Sequence, residues 1–416
     1  MRLLWLMPEY PYPPTGGAPL RIYNVMTQMA RRHEVHGLAV VETDIELPVH
    51  DTSHLPVASM TVLRRSTRPG LPGRVRSSLS AVPRLVSAVA PPDNIRALNA
   101  LLARHRFDAA VLESIYVGGF VPALRKAGVP ELLVNHNIES RLWREIARFR
   151  PAYTNRLSEW WEVYKLTRYE ARLARTVAYR VAMSDQDRQI FEHISGVPCG
   201  VSPNGVDIDF FPFRPRTRSE DGSPWRLVMT GTMNYQPNID AAEFFLDDIF
   251  PLVQSVHPVQ AAFVGRDPAP ELLERQQRHR SAFFTGLVPD VRPYVSQADI
   301  FIVPLRHGSG TRLKILEAMA QGIPVVTTSI GCEGLDVQHG EHVWIADTPE
   351  AFRDGIVTVM RNPEAAARMV MRARALVERR YTWGEIARQL EADLYRIGPA
   401  RIPAQVAAQA AYEQES

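Results

Sequence analysis

The chain has 416 residues, 45% hydrophobic and 22% charged, and 48 basic against 45 acidic side chains leave a formal charge of +3. That length makes two or three domains, each able to bury its own core, and the composition excludes a disordered or fibrous protein. The charge balance is too even for a dedicated nucleic-acid binder, so no nucleic acid is expected as a partner.

Taken in chain order, the N-terminal half alternates short apolar runs with helical stretches. Strands are predicted at Arg2–Met7, Val35–Val41, Asp108–Leu112, Glu131–Asn135 and Val177–Met183, with a helix from about Ala18 to Arg32. The same grammar restarts after Pro198, with strands at Trp225–Thr230, Gln260–Val264, Ala282–Thr285, Asp299–Val303 and Pro324–Thr327. Apolar runs without period-2 alternation, separated by helices, predict parallel sheets covered on both faces. The fold class is therefore α/β, with two doubly wound Rossmann-like domains. Residues 1–200 form the N-terminal domain and 201–385 the C-terminal one; 386–397 are a helix returning toward the first domain, and 398–416 a loosely ordered tail.

Two stretches break the pattern. Thr52–Pro92 has no acidic residue but carries Arg64, Arg65, Arg68, Arg74, Arg76 and Arg84; Pro151–Arg175 reads as a long helix with Trp160, Trp161, Tyr164 and Tyr169. A solvated basic loop and a core-packed aromatic helix explain them; so does a surface facing an acceptor or an anionic membrane. Apolar runs such as Ala298–Leu305 fall far short of the ~20 residues that span a bilayer. The short stretch Leu3–Met7 before Glu9 is no signal-peptide core, and Cys199 and Cys332 form no CxxC pair. The expectation is a cytoplasmic protein, with peripheral contact on the inner face of the membrane as its only membrane association.

Three segments carry chemistry. In Arg306–Val326 a strand ends at Pro304, a glycine-containing loop opens a helix at about Thr311, and Gly322 ends it. A helix N-terminus is positive, yet Arg312 and Lys314 sit in its first turn with His307 just upstream. That placement is costly unless an anion occupies the loop, and a phosphate or diphosphate on the N–H groups of Gly310 and Thr311 fits. An exposed Lys314–Glu317 pair would instead be plain helix decoration. Lys314 is also one of only three lysines, with Lys126 and Lys165. A second glycine loop, Pro13–Ala18 with Gly16 and Gly17, follows the first strand and opens a helix, where open α/β sheets bind ligands. A tight turn alone would need the same glycines; the two loops together suggest a ligand gripped by both domains. The third segment, Leu133–Ser140, places His136 and Glu139 just past a strand's carboxyl end, where a histidine can orient a hydroxyl or phosphate or can simply be structural. Asp207-Ile-Asp209 reads as a turn and cap rather than a metal site. With no GxxxxGK[ST] and no GxGxxG after the first strand, P-loop and nicotinamide chemistry are not expected.

The run LeuGluAlaMetAlaGlnGlyIleProValVal ending at Val326, the Gly16-Gly17 loop, AsnGlyValAsp at 204–207 and ThrGlyThrMetAsnTyrGlnProAsn at 230–238 resemble the family 4 glycosyltransferases. The resemblance spans nearly the whole chain and is densest in its C-terminal half. It implies the two-domain GT-B fold and a retaining, metal-independent enzyme with no cofactor. Its donor is a nucleotide-diphosphate sugar and its substrate partner a glycan or lipid-linked acceptor, as in polysaccharide biosynthesis. Carried over by position, it makes His136, Arg312 and Lys314 the catalytic set, His136 near the sugar and the two cations on the diphosphate. Glu317 would hold the ribose. Gly16, Gly17, Gly231, Thr232, Met233, Gly286, Leu287, Val288, Ser309, Gly310 and Thr311 would complete the donor site, with Asn137, Glu139 and Arg141 on the acceptor side. Two departures stand out. Eight positions before Glu317 the family's other glutamate is replaced by Ser309, and the family's Arg/Lys pair is absent from Gly231–Pro237. A catalytically weakened sugar-nucleotide-binding protein and a nucleotide-sugar epimerase on the same fold are the alternative readings.

Overall fold

The computed structural model describes residues 1–43, 54–65, 80–149, 156–215, 222–308 and 312–398. The chain divides into two compact units: one made of 1–203 with the segment from Trp383 onward, the other of 204–382.

In the first unit, strands β1 (Arg2–Met7), β2 (Glu34–Val41), β3 (Ser59–Arg64), β4 (Ala109–Glu113), β5 (Glu131–Asn135), β6 (Tyr179–Ala182) and β7 (Gly200–Val201) form one sheet in the order β3-β2-β1-β4-β5-β6-β7. Every neighbouring pair is parallel. All five residues of β4 and of β5 are buried, so the apolar run without alternation has its cause in cover on both faces. On one face, Leu3, Trp5 and Met7 of β1 pack with Ile22 and Met26 of helix α1 (Gly17–Ala30) and with Trp383, Ile386 and Leu390 of the helix Trp383–Ile397. On the other, Leu4, Leu6, Ala110 and Leu112 pack with Leu166 and Leu173. The latter two belong to α3 (Arg156–Thr176), which pairs with α2 (Glu139–Phe149). Residues 151–155 of the expected aromatic helix, and Arg68, Arg74 and Arg76 of the basic stretch, lie outside the described residues.

The second unit repeats the plan with β8 (Trp225–Thr230), β9 (Val259–Val264), β10 (Ala282–Phe284), β11 (Ile300–Val303), β12 (Val325–Thr327) and β13 (Trp344–Ile345), ordered β10-β9-β8-β11-β12-β13 and all parallel. Helix α4 (Gln236–Phe244) follows β8 and helix α5 (Leu313–Gln321) follows β11. Gly322, at φ 82°, takes the left-handed conformation that ends α5. The α5 helix buries Ile315, Leu316, Ala318, Met319, Ala320 and Gln321.

Three strands escape sequence reading. β3 is an edge strand that is only half buried and sits in the basic stretch, and β7 and β13 are two residues long, too short to carry a pattern. Among the described residues no helix is long and apolar enough to cross a membrane.

Candidate active site

In open parallel sheets ligands bind at the carboxyl ends of the strands. At that edge of the first sheet, Trp5 pairs with Val111 and Glu113 with Val134. Side chains two apart share a face, so Trp5, Val111, Glu113, Val134 and the following His136 point the same way. The result is a bonded set. The Glu113 carboxylate accepts from Trp5 Nε1 at 2.9 Å through Oε1, and its Oε2 lies 2.7 Å from His136 Nε2. Glu113 and Trp5 are both at 0% exposure. Arg21 of α1 is buried on the same face; its guanidinium donates to Ser202 Oγ at 2.7 Å and to the Pro203 carbonyl. Burial pulls Arg21 down to about 10 against the opposing field of Glu113. Burial likewise raises the Glu9 carboxyl, opposed by the charges of His136 and Arg65.

Beside this set, the Glu139 carboxylate accepts from Tyr116 Oη at 2.7 Å, and Tyr116 Oη in turn accepts from Trp143 Nε1 at 2.8 Å. Asn137 also hydrogen-bonds Glu139. The first N–H groups of α2, those of Glu139 and Ser140, donate to the two oxygens of Glu170 at 2.9 and 3.3 Å. Glu170 is thus a cap supplied from the neighbouring helix α3, and burial lifts its carboxyl to about 7. Arg141 turns outward to Glu145 at 3.3 Å, an exposed pair within its own helix. Gly16 and Gly17 are exposed at the start of α1, Gly16 at φ 93°, and a Cβ at either would meet nothing within 4 Å.

At the corresponding edge of the second sheet, Lys314 of α5 donates to Asn238 Oδ1 at 3.0 Å, and Asn238 Nδ2 donates to the Thr232 carbonyl at 2.9 Å. Gly231 permits this convergence, since a Cβ there would lie 2.7 Å from Asn238 Nδ2 and 3.1 Å from Lys314 Nζ. Gly265 is equally forced, because its Cβ would collide with the Gly231 carbonyl. Arg312, at the N-cap of α5, is buried; it donates to the Gly308 carbonyl at 2.9 Å and lies 4.0 Å from Glu333. Burial lowers Lys314 to about 8, with Arg312 pushing the same way and Glu317 opposing. Burial raises Glu317 to about 7 against the pull of Lys314. Glu317 is half-buried, and none of the hydrogen bonds or ion pairs among the described residues reaches its carboxylate.

Other expected residues fall as follows. Met233 is at 0% exposure in the core, so its backbone alone faces the edge, and its N–H donates to the Arg266 carbonyl. Gly286 bridges to Gly265 at φ 67°, Leu287 is 80% exposed and Val288 packs against the core. His307 lies 3.6 Å from Asp240. Ser309, Gly310 and Thr311 lie outside the described residues. Asp207 Oδ1 accepts the N–H groups of Asp209 and Phe210, which is the turn-and-cap role expected of it. Sequence reading passed over Glu113, Arg21 and Asn238. Glu113 had a visible signal, a carboxylate closing an otherwise apolar strand.

Residues 224–362 match the family model described as glycosyl transferases group 1. That stretch is a glycosyltransferase group 1 domain. Among curated proteins, the chain is 30% identical over 225 residues to a phosphatidyl-myo-inositol mannosyltransferase of Mycobacterium tuberculosis (strain CDC 1551 / Oshkosh), covering 51% of this chain and 57% of that protein. It is 25% identical over 215 residues to a GDP-mannose-dependent alpha-(1-6)-phosphatidylinositol dimannoside mannosyltransferase of M. tuberculosis (strain ATCC 25177 / H37Ra), covering 50% and 55%. The chain thus spans about half the length of the curated relatives it matches. Among solved structures, Anabaena Alr3699/HepE in complex with UDP superposes with a TM-score of 0.68 at 18% identity, over 95% of this chain and 100% of that one. The expected GT-B fold holds, and residues 224–362 fit the expected glycosyltransferase assignment.

Proposed function

We propose that the chain is a glycosyltransferase that moves a sugar from a nucleotide-diphosphate donor to a glycan or lipid-linked acceptor. The observation that carries this reading is the Lys314–Asn238–Arg312 cluster with Glu317 one turn along, at the carboxyl edge of the group 1 domain. Two cations drawn together in partly buried surroundings disfavour each other, and a diphosphate would relieve both. A carboxylate with no partner among the described residues suits a pair of ribose hydroxyls.

Chemically, the bond from the anomeric carbon to the diphosphate oxygen breaks, and negative charge grows on the leaving oxygen. Fixed Arg312 and Lys314 stabilise that charge where it develops, with no reorganisation at the moment of reaction. The leaving diphosphate takes the acceptor hydroxyl's proton as the new bond forms on the same face, which retains configuration. His136 acts on the sugar. The two cations supply the electrostatic role that a divalent ion would otherwise fill, so metal-independent transfer is part of the proposal.

A lipid-linked acceptor is favoured by the mannosyltransferase relatives and by the outer face of α3. Leu157, Trp160, Trp161 and Tyr164 are exposed there, and Arg168 and Arg172 continue the stripe. Aromatic residues followed by arginines suit an anionic membrane surface, on the cytoplasmic side.

The test is release of nucleoside diphosphate from GDP-mannose, UDP-glucose, UDP-galactose and related donors, with a polar-lipid extract as acceptor and EDTA present. Acceptor-dependent release from one donor is expected. Release of a free epimerised sugar, or binding without release, would overturn transfer.

A further inference from the structure

The first unit buries a carboxylate at a position where the fold alone would favour an apolar side chain. Residues 109 and 111 on the same face of β4 are Ala and Val, and the neighbouring positions of β1 are Leu and Trp. A buried charge is tolerated only when its lone pairs are met. For Glu113 those bonds go to two groups: the Trp5 indole on Oε1 and His136 on Oε2. Arg21 feels Glu113 through space but gives its hydrogen bonds to Ser202 and Pro203. A carboxylate anchored at both oxygens cannot swing, so its second oxygen fixes the imidazole that meets it.

We propose that Glu113 is the positioning residue for His136. It holds the ring as the Nε2–H tautomer, with Trp5 as its own anchor, and leaves Nδ1 as an acceptor for a substrate hydroxyl. No hydrogen bond among the described residues involves His136 Nδ1, and the side chain is 11% exposed, so that nitrogen is left for a ligand. A carboxylate accepts only, so its contact with Nε2 requires the proton to be there. The charges of Glu9 and Glu139 also reach His136, but neither bonds to the ring. The role of His136 on the sugar rests on the transfer reading; the Glu113–His136–Trp5 arrangement does not.

Selective 15N-histidine labelling of the full chain, with His136 assigned through His136→Gln, reads the tautomer directly. Wild type should show the neutral ring protonated at Nε2 and bare at Nδ1. Glu113→Gln, whose amide can also donate to the ring, should give a mixture. A wild-type ring protonated at Nδ1, or already mixed, overturns the proposal, and this arm stands even if Glu113→Gln fails to fold. In turnover, Glu113→Gln should lower kcat by roughly 10- to 100-fold, as misplaced groups do, with the donor KM changed by less than about threefold. On a His136→Ala background the same substitution should add nothing. Losses that multiply across the two sites would mark Glu113 as merely structural. Absence of turnover in wild type with every donor would sink the transfer reading while leaving the tautomer arm to decide the pair.

Discussion

At the carboxyl edge of the first sheet, Glu113 bonds to Trp5 and His136, whereas at the corresponding edge of the second sheet Glu317 takes no bond from a described residue. The charges diverge in the same way. The first edge sets a carboxylate against an imidazole at 2.7 Å, and the second brings Arg312 and Lys314 near one another. A site that satisfies itself is built to hold a group in place; a site left unsatisfied is built to receive one. The first edge therefore reads as preorganised and the second as a receptor for an anion with hydroxyls.

The comparison can be broken at several points. His136→Ala should cost transfer most, on the order of 10²-fold in kcat, the loss expected when a group that orients the reacting sugar is removed. Nucleoside-diphosphate affinity should hold within about twofold, as titration calorimetry would show. Next, Lys314→Ala or Arg312→Ala should weaken nucleoside diphosphate by about 1.5–3 kcal/mol, the range for a hydrogen bond to a charged group. Unchanged affinity in both variants would remove the receptor half of the contrast. Glu317→Ala should weaken nucleoside diphosphate while leaving inorganic pyrophosphate nearly untouched, and equal losses would take Glu317 off the ribose.

The pH dependence sharpens the same point. Burial has raised Glu317 from 4.5 to about 7, so the folded state binds a proton that the unfolded chain has already lost. This group's contribution to stability is present below about 4.5 and falls as pH rises through 7. Lys314, lowered from 10.5 to about 8, works in the opposite sense, and its contribution recovers as pH rises from about 8 to 10.5. Melting curves of the unliganded protein should show a dip between these windows that Glu317→Gln shallows on its acid side. Diphosphate affinity should fall above pH 8 as Lys314 loses its charge. The smallest effect belongs to Arg141→Ala, which breaks only the exposed pair with Glu145 and should shift stability by no more than about 0.5 kcal/mol.

Much of this was legible in the sequence because parallel strands are apolar throughout and glycines punctuate their carboxyl ends. The strands around β1, β4, β5, β8 and β11 come within a residue or two of their predicted bounds. The charges of the second edge were legible for a related reason: Arg312 and Lys314 stand where a helix start favours acids. Glu113 was not read, because its meaning depends on Trp5, 108 residues earlier, and His136, 23 residues later. Asn238 was hidden for the same reason, since its partner Lys314 is 76 residues away. Nor does sequence reveal that Met233 turns into the core, which is decided by packing across the sheet.

The central claim, that the second edge receives a nucleoside diphosphate, is tested most directly by thermal shift of the full chain with UDP, GDP, ADP and dTDP, each with and without EDTA. The account predicts a raised melting temperature with one of them, unchanged by EDTA and lost in Lys314→Ala. No shift with any diphosphate at millimolar concentration, or the same shift in Lys314→Ala as in wild type, would contradict it.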